Sequence, residues 1–233
     1  MAEAAGGRLM RAIGLMSGTS LDGIDVALID SDGAQAVTRG SSMTVPYPAD
    51  FRKRLVEAIA AAKGLTERAQ RSRLLAAVEQ ELTERHADAV NAFIDQNGIA
   101  RQTVNVIGFH GQTVLHRPEK RMTVQIGDAA ALAKTIHIPV MHDFRAADVA
   151  AGGQGAPFVP VYHRALTQSL EREGPIAVVN IGGVANITYI DGTDTLIACD
   201  TGPGNALIDD LYGRFVHDRE ESASDPHRQG FDG

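Results

Sequence analysis

The chain lacks a second cysteine. Cys199 stands alone among 233 residues, which rules out an internal disulfide and fits a reducing compartment. No run is apolar for long enough to cross a membrane, and the opening MAEAAGGRLMRA lacks the apolar core of a signal peptide. A cytoplasmic location is the expectation. A dense Lys/Arg run is also missing, and the formal net charge is −7, which argues against nucleic acid as a partner. Any anionic ligand must then be held by local devices: loops, a metal or a few arginines. What remains is the composition of a globular protein, 44% hydrophobic and 22% charged, long enough for one large domain or two modest ones.

The stretch Ile13–Asp25 organises the rest. Ile13, Gly14, Leu15 and Met16 read as a buried strand, Ser17-Gly18-Thr19-Ser20 and Asp22-Gly23 as a tight polar turn, and Ile24–Ile29 as a returning strand. The turn carries backbone N–H groups that no bulky side chain covers, together with three hydroxyls, a concavity suited to an anion such as phosphate. Taken alone it is equally an ordinary Gly/Ser hairpin, and that plainer reading is preferred for the turn by itself.

Downstream, Asp32-Gly33 marks a hairpin turn, and a third strand is expected near 36–45, closed by Pro46 and Pro48. Phe51, Leu55, Ile59 and Ala62 fall at helical spacing, with Asp50 as candidate N-cap and Gly64 as stop. A longer helix is expected within 66–96, in one or two pieces, with Leu74, Leu75, Val78, Leu82, Val90 and Phe93 in its apolar stripe. Its alternating charges read as a solvated face, and His86 takes no role. Val104–Gly108 is a strand leading into Phe109-His110-Gly111-Gln112-Thr113, a polar cluster at a strand's carboxyl end, where ligands collect in α/β sheets. Strands at 122–126 and 138–141 flank a short helix capped by Asp128. Gly152, Gly153 and Gly155 read as a mobile loop feeding a helix at about 158–170 whose first turn holds Pro157, set apart from an ordinary connector by Gln154 within it and by Arg145 and Asp148 just upstream. Strands at 176–181, 185–190 and 195–199 follow, then Asp200-Thr201-Gly202-Pro203-Gly204-Asn205 and a helix at about 206–215. The alternation of strands and helices says α/β.

The pattern strand, glycine turn, strand, Asp-Gly, strand occurs twice, at 13–45 and 176–199, with almost no shared residues. Two such meanders imply two related domains, each offering a backbone-lined turn to a shared cleft, with a boundary near 169–174. A pair of phosphate-holding turns suits a nucleoside triphosphate and is the layout of the actin/hexokinase/Hsp70 group.

Six motifs in order then become specific: GLMSGTSLDGID (14–25), GFHGQTVLHRP (108–118), TVQIGD (123–128), DFRAADVAAGGQGAP (143–157), NIGGVANIT (180–188) and DTGPGN (200–205). On these the chain closely resembles the anhydro-N-acetylmuramic acid kinases. The resemblance implies an α/β, two-domain actin-like ATPase (ribonuclease H-like) fold. It places a first domain at 1–168, with sugar-side loops, and the N-terminal portion of a second at 174–233. Family members run well beyond this length, so the second domain is expected to be incomplete. The implied reaction uses ATP and water to open the 1,6-anhydro ring of 1,6-anhydro-N-acetylmuramic acid and to place phosphate on O6, in cell-wall recycling.

Carried over by position, Gly18, Thr19, Ser20, Leu21, Asp22, Gly23, Ile24 and Asp25 are expected to bind the ATP phosphates, and Gly182 and Gly183 to form the second phosphate turn. Asp200 is expected to be the general base for the attacking water. Arg145 is expected at the sugar, with His110, Gln112 and Thr113 as weaker substrate-side candidates. Mg²⁺ is expected to be held largely through phosphate oxygens and water, with Asp22 and Asp25 the nearest carboxylates; Asp25 is as readily a turn residue. The implied partners are ATP and an amino sugar, with a homodimer as a further option. His116, His137, His142 and His163 show no metal-ligand spacing. Asp32 and Asp191 read as turn residues, Asn180 and Asn186 as ties across the glycine turn, and Cys199 as a buried apolar residue. Two competing readings stand beside the kinase: a truncated non-catalytic sugar/nucleotide-binding module of the same fold, and an actin-like enzyme acting on a different amino sugar.

Overall fold

The computed structural model describes residues 8–168, 170, 172, 174–192, 195–205, 207, 208, 211, 212 and 215. Its contacts divide the chain into two compact units, Met1–Arg172 and Glu173–Gly233.

The first unit opens with an antiparallel meander of β1 (Met10–Met16), β2 (Gly23–Ser31) and β3 (Val37–Pro46). The helices α1 (Ala49–Ala62) and α2 (Arg73–Gln96) come next. Then follow β4 (Val106–Phe109), β5 (Gln112–Arg117), β6 (Met122–Ile126), α3 (Ala129–Ile136), β7 (Val140–His142), α4 (Ala146–Ala151) and α5 (Pro160–Thr167). Five strands make one sheet in the order β3-β2-β1-β4-β7, with β4 parallel to β1 and β7 parallel to β4; β5 and β6 form a separate hairpin. An antiparallel meander extended by parallel strands is the ribonuclease H-like arrangement of actin-like ATPases.

Period-two burial drives the sheet: Ile13 and Leu15 on β1, Ile24 and Val26 on β2, and Ile107 and Phe109 on β4 all turn into the core. Helical periodicity supplies the opposite layer. Phe51, Leu55 and Ala58 of α1 and Leu75, Val78, Leu82, Val90 and Phe93 of α2 are buried in the same cluster. Each such large side chain contributes about 1.5–3 kcal/mol on burial. Ser72 caps α2 through its hydroxyl, which accepts from the Leu75 N–H at 3.2 Å, and Asp128 caps α3 by accepting from the Ala131 N–H at 2.9 Å.

In the second unit, β8 (Ile176–Ile181), β9 (Val184–Ile190) and β10 (Leu196–Pro203) form an antiparallel meander in the order β10-β9-β8. Thr188 and Ile190 are its buried residues. The helix expected at about 206–215 falls partly outside the described residues; Leu207, Ile208, Leu211, Tyr212 and Phe215 are helical and exposed. The polar tail at 217–233 lies outside them.

Several expectations need correction. Helix α1 is preceded by Pro48 at the N-cap with no side-chain cap, and Asp50 lies inside its first turn. The stretch before Ser72 stays irregular because the Gln70 side chain accepts from the Thr66 and Glu67 N–H groups, at 2.9 and 3.3 Å, which competes with helix formation. Gln112 and Thr113, read as the end of the 109–113 polar cluster, instead open the strand β5. The segment after Arg145 is not simply a loop: it forms α4, closed by Gly152 at φ 100°. Pro157 lies ahead of α5, and Pro160 occupies the first helical position instead. Cys199 is exposed. His86, given no role, is fully buried and bonded to the Leu82 carbonyl at 2.7 Å.

Candidate active site

The turn after β1 divides into two kinds of position. Thr19, Ser20, Asp22 and Asp25 are exposed, whereas Gly23 and Ile24 are buried at the start of β2. Gly23 is demanded by the fold: a Cβ there would collide with the Val45 carbonyl oxygen on β3. Gly18 is not, because a Cβ would meet only Met16 Cε and Ser20 Oγ, both at 3.8 Å. A glycine that packing does not require leaves the backbone open to a close approach from outside. Leu21 takes a left-handed φ of 54° to tighten the turn, and its N–H bonds the Gly18 carbonyl at 3.3 Å. Asp22 accepts from the Ser20 hydroxyl at 2.6 Å, and Asp25 accepts from the Thr44 hydroxyl at 2.6 Å. Each therefore has a partner, in keeping with a structural use of Asp25. Among the described residues no group of three or more His, Cys, Asp or Glu side chains is placed to hold a metal.

Beneath the turn, the Ser17 side chain is fully buried. Its hydroxyl donates to Gln112 Oε1 at 2.7 Å and lies 2.8 Å from the Tyr47 hydroxyl. Its one proton goes to Gln112, so Tyr47 is the donor in the second contact. Gln112 Nε2 donates onward to the Gly18 carbonyl at 3.3 Å. Gln112 is 1% exposed; its amide secures the turn from below. Burial pushes the Tyr47 phenol up to about 12, against a smaller opposing effect of the bond to Ser17. Neither the Tyr47 contact nor the inward aim of Gln112 carries a sequence signal, because both depend on which strand neighbours β1.

The same junction holds His110, whose N–H bonds the Leu15 carbonyl at 3.1 Å. Its Nε2 lies 3.2 Å from Arg145 Nη2. A guanidinium only donates, so Nε2 accepts, and the proton sits on Nδ1, which donates to the Gly111 carbonyl at 2.7 Å. Burial holds the His110 pKa below its ordinary value; the Gly111 bond opposes this and the Arg145 charge reinforces it. Arg145 Nη1 donates to the Gly155 carbonyl at 2.6 Å, and its guanidinium stands 5.6 Å above the Phe158 ring. Thr113 Oγ1 and Gln125 Oε1 are buried without a hydrogen-bond partner, while Gln125 Nε2 donates to the His110 carbonyl at 2.8 Å. The first unit thus joins the Ser17–Asp22 turn, the 110–113 cluster and Arg145 into one connected network.

A cavity of about 160 Å³ adjoins this network, lined among others by Arg68, His110, Gln125, Gly127 and Asp143. It is smaller than the roughly 300–1,000 Å³ of whole-ligand pockets and suits one substituent of a ligand. Its rim is fixed by Arg68, whose Nη2 reaches both carboxylate oxygens of Asp143 at 2.8 and 2.6 Å. Arg68 Nε donates to the Thr123 carbonyl at 2.8 Å. Asp143, at a left-handed φ of 57°, is so held two residues ahead of Arg145.

In the second unit, Gly182 and Gly183 form the turn between β8 and β9, and their carbonyls accept from the Asn205 and Gly204 N–H groups at 2.8 and 3.0 Å. Gly204 approaches so closely that a Cβ would strike the Gly182 carbonyl. The strand expected to stop at 199, with Asp200 at its end, instead runs on through Asp200 to Pro203, with an irregularity between Asp200 and Gly202. Asp200 is exposed and pairs with Asn186 of β9, whose Oδ1 is buried without a partner. The expected base and the second glycine turn therefore belong to one end of one small sheet.

The family model described as anhydro-N-acetylmuramic acid kinase matches residues 10–227. A relative of that name from Bradyrhizobium diazoefficiens is 66% identical over 209 residues, covering 90% of this chain and 57% of the relative. One from Nitrobacter winogradskyi is 65% identical over 206 residues, covering 88% and 56%. One from Azorhizobium caulinodans is 56% identical over 220 residues, covering 92% and 59%. The chain thus spans somewhat over half the length of these relatives. Among solved structures, a reductive activator for a corrinoid, iron–sulfur protein overlaps with a TM-score of 0.43 at 11% identity, over 87% of this chain and 32% of that one, too loose an overlap to bear on function. With the model match running over nearly its whole length, the chain belongs to the anhydro-N-acetylmuramic acid kinase family.

Proposed function

We propose that this chain is part of an ATP-dependent sugar kinase acting on 1,6-anhydro-N-acetylmuramic acid. In the proposed reaction water attacks C1 of the sugar, the C1–O6 bond breaks, and O6 takes the γ-phosphoryl group. The products are N-acetylmuramic acid 6-phosphate and ADP. Asp200 accepts the proton of the attacking water, a task for a carboxylate within hydrogen-bond reach. Arg145 orients the sugar, with His110 beside it and Thr113 nearby; Gln112 contributes by securing the turn. Gly18–Asp25 and the Gly182-Gly183 turn hold the phosphates. When bound, ATP with Mg²⁺ supplies the phosphoryl group and charge neutralisation. Asp22 and Asp25 are the carboxylates nearest the phosphate turn and would be the protein groups to hold such an ion, which would neutralise phosphate charge there.

The observation that carries this reading is that the one short segment 110–113 is bonded on one side to the Gly18–Ser20 turn through Gln112 and on the other to Arg145 through His110. Phosphoryl transfer depends on positioning more than on covalent chemistry, and this network offers positioning. The proposal takes 1–168 as the first actin-like domain and 174–233 as the N-terminal portion of the second. It sets the protein in the cytoplasm, in cell-wall recycling, with homodimerisation open to measurement. The test is ADP release by the full-length protein with and without the anhydro sugar. Release that requires the sugar is expected, and equal release in both arms overturns the reading.

A further inference from the structure

We propose that Asp148 is a positioning residue, whose carboxylate fixes the Gly152–Gly155 loop so that the Gly155 carbonyl holds the Arg145 guanidinium against His110. The proposal rests on the sugar-side role of Arg145 given above.

Three bonds make the relay. Asp148 Oδ2 accepts from the Gly155 N–H at 2.7 Å. The carbonyl of the same residue accepts from Arg145 Nη1 at 2.6 Å. The other arm of the guanidinium, Nη2, lies 3.2 Å from His110 Nε2. Gly155 is thus held at its N–H by a carboxylate and at its carbonyl by a guanidinium, each charge matched to the end of the dipole it faces. Hydrogen bonds to charged groups are the stronger kind.

Sterics require the same arrangement. The loop folds round the Asp148 side chain: the Gly153 N–H bonds the Asp148 carbonyl at 2.8 Å, and a Cβ on Gly153 would collide with the Asp148 carboxylate. Gly155 takes a left-handed φ of 67°, and a Cβ there would strike Val149 Cγ2 and lie 3.3 Å from Arg145 Cβ. Val149 is 1% exposed and cannot readily give way. The glycines therefore serve a fixed enclosure of one carboxylate, in contrast to the mobile connector that their number alone suggests. Asp148 stands in the first turn of α4, where a carboxylate commonly faces the helix's own N-terminus; here it bonds the loop beyond the helix's far end.

The test compares the full-length protein with Asp148→Ala, Asp148→Asn, Arg145→Ala and the Asp148→Ala/Arg145→Ala double variant. For Asp148→Ala the KM for the anhydro sugar is expected to rise about tenfold, the scale of one hydrogen bond to a charged group, and the KM for ATP to change less than about twofold. Asp148→Asn keeps an acceptor oxygen and is expected to recover most of the loss. In the Arg145→Ala background, Asp148→Ala is expected to add less than about twofold, because the two act in series. Equal rises for sugar and ATP, or a full penalty in the absence of Arg145, overturn the proposal. Amide hydrogen exchange at Gly155 gives a readout that needs no activity: wild-type protection is expected to be lost in Asp148→Ala, and unchanged exchange overturns the relay. If the wild-type protein shows no sugar-dependent ADP release, the kinase reading fails, and the exchange arm alone decides the relay.

Discussion

The Ser17 hydroxyl donates to Gln112 Oε1 at 2.7 Å across a separation of 95 residues in the chain. That bond ties the turn after the first strand to the start of the β5–β6 hairpin, and the parallel pairing of β1 with β4 makes it geometrically available. Because Ser17 is fully buried, its hydroxyl has no water to replace a lost protein partner.

Gln112→Leu is therefore expected to destabilise the protein by about 1–3 kcal/mol, because the buried Ser17 proton loses its acceptor and the Gly18 carbonyl loses its donor. Tyr47→Phe leaves the Ser17–Gln112 bond intact and is expected to cost about 0.5–1.5 kcal/mol. Urea unfolding of the two variants checks the order; equal losses would contradict the donor assignment.

Two glycines of the first turn are expected to behave differently. Gly23→Ala forces a methyl group against the β3 backbone and is expected to cost about 1–3 kcal/mol, as overpacking does. Gly18→Ala has room and is expected to stay within about 0.5 kcal/mol of wild type. On the proposed phosphate role, Gly18→Ala weakens ATP binding while Tm holds. Thermal melts and an ATP titration separate the two effects.

Asp200→Asn is expected to reduce sugar-dependent ADP release by about 10²–10⁴-fold, the contribution of a general base. Sugar binding by calorimetry is expected to survive, because the amide keeps the shape of the carboxylate. Turnover near the wild-type rate would remove Asp200 from the proposed role.

The buried histidine on α2 sets an acid limit. Burial pushes the His86 pKa from 6.5 down to about 4, against a smaller opposing effect of the Leu82 bond. Between those values the unfolded chain binds a proton that the folded chain refuses, so stability falls as pH drops through that window. The slope is at most about 1.4 kcal/mol per pH unit for one such group. His110, shifted in the same direction, adds to it. His86→Gln is expected to flatten the slope, measured by urea unfolding across the window. At the alkaline end the Tyr47 phenol, raised from 10.0 to about 12, keeps its proton longer in the folded state. Its share of stability is complete below pH 10 and is lost as pH rises towards 12, and Tyr47→Phe removes that dependence.

Local pattern determined much of this protein. Apolar runs interrupted by glycine turns marked both meanders, and the helical stripe from Leu74 to Phe93 marked the long helix, because side-chain spacing fixes which face can be buried. The six motifs carried the family, since each keeps its residues contiguous. What the tertiary structure decided is everything that depends on a neighbour distant in sequence. Only the pairing of β1 with β4 turns Gln112 inward to Ser17, and only the close passage of β3 makes Gly23 obligatory. Gln154 and the nearby Asp148 set the Gly-rich segment apart, but its enclosure of the Asp148 carboxylate was not legible, because that fold-back needs Val149 already seated in the core. His86 was unreadable for the same reason: a lone histidine in a charged helix shows its burial only when Phe109 of β4 packs 4.9 Å from its ring. The sequence alone marked the two meanders, the long helix and the family; it did not mark β5 or α4. The tertiary structure decided which of its polar side chains face the site and which hold it in place, because hydrogen-bond partners are set by proximity in space.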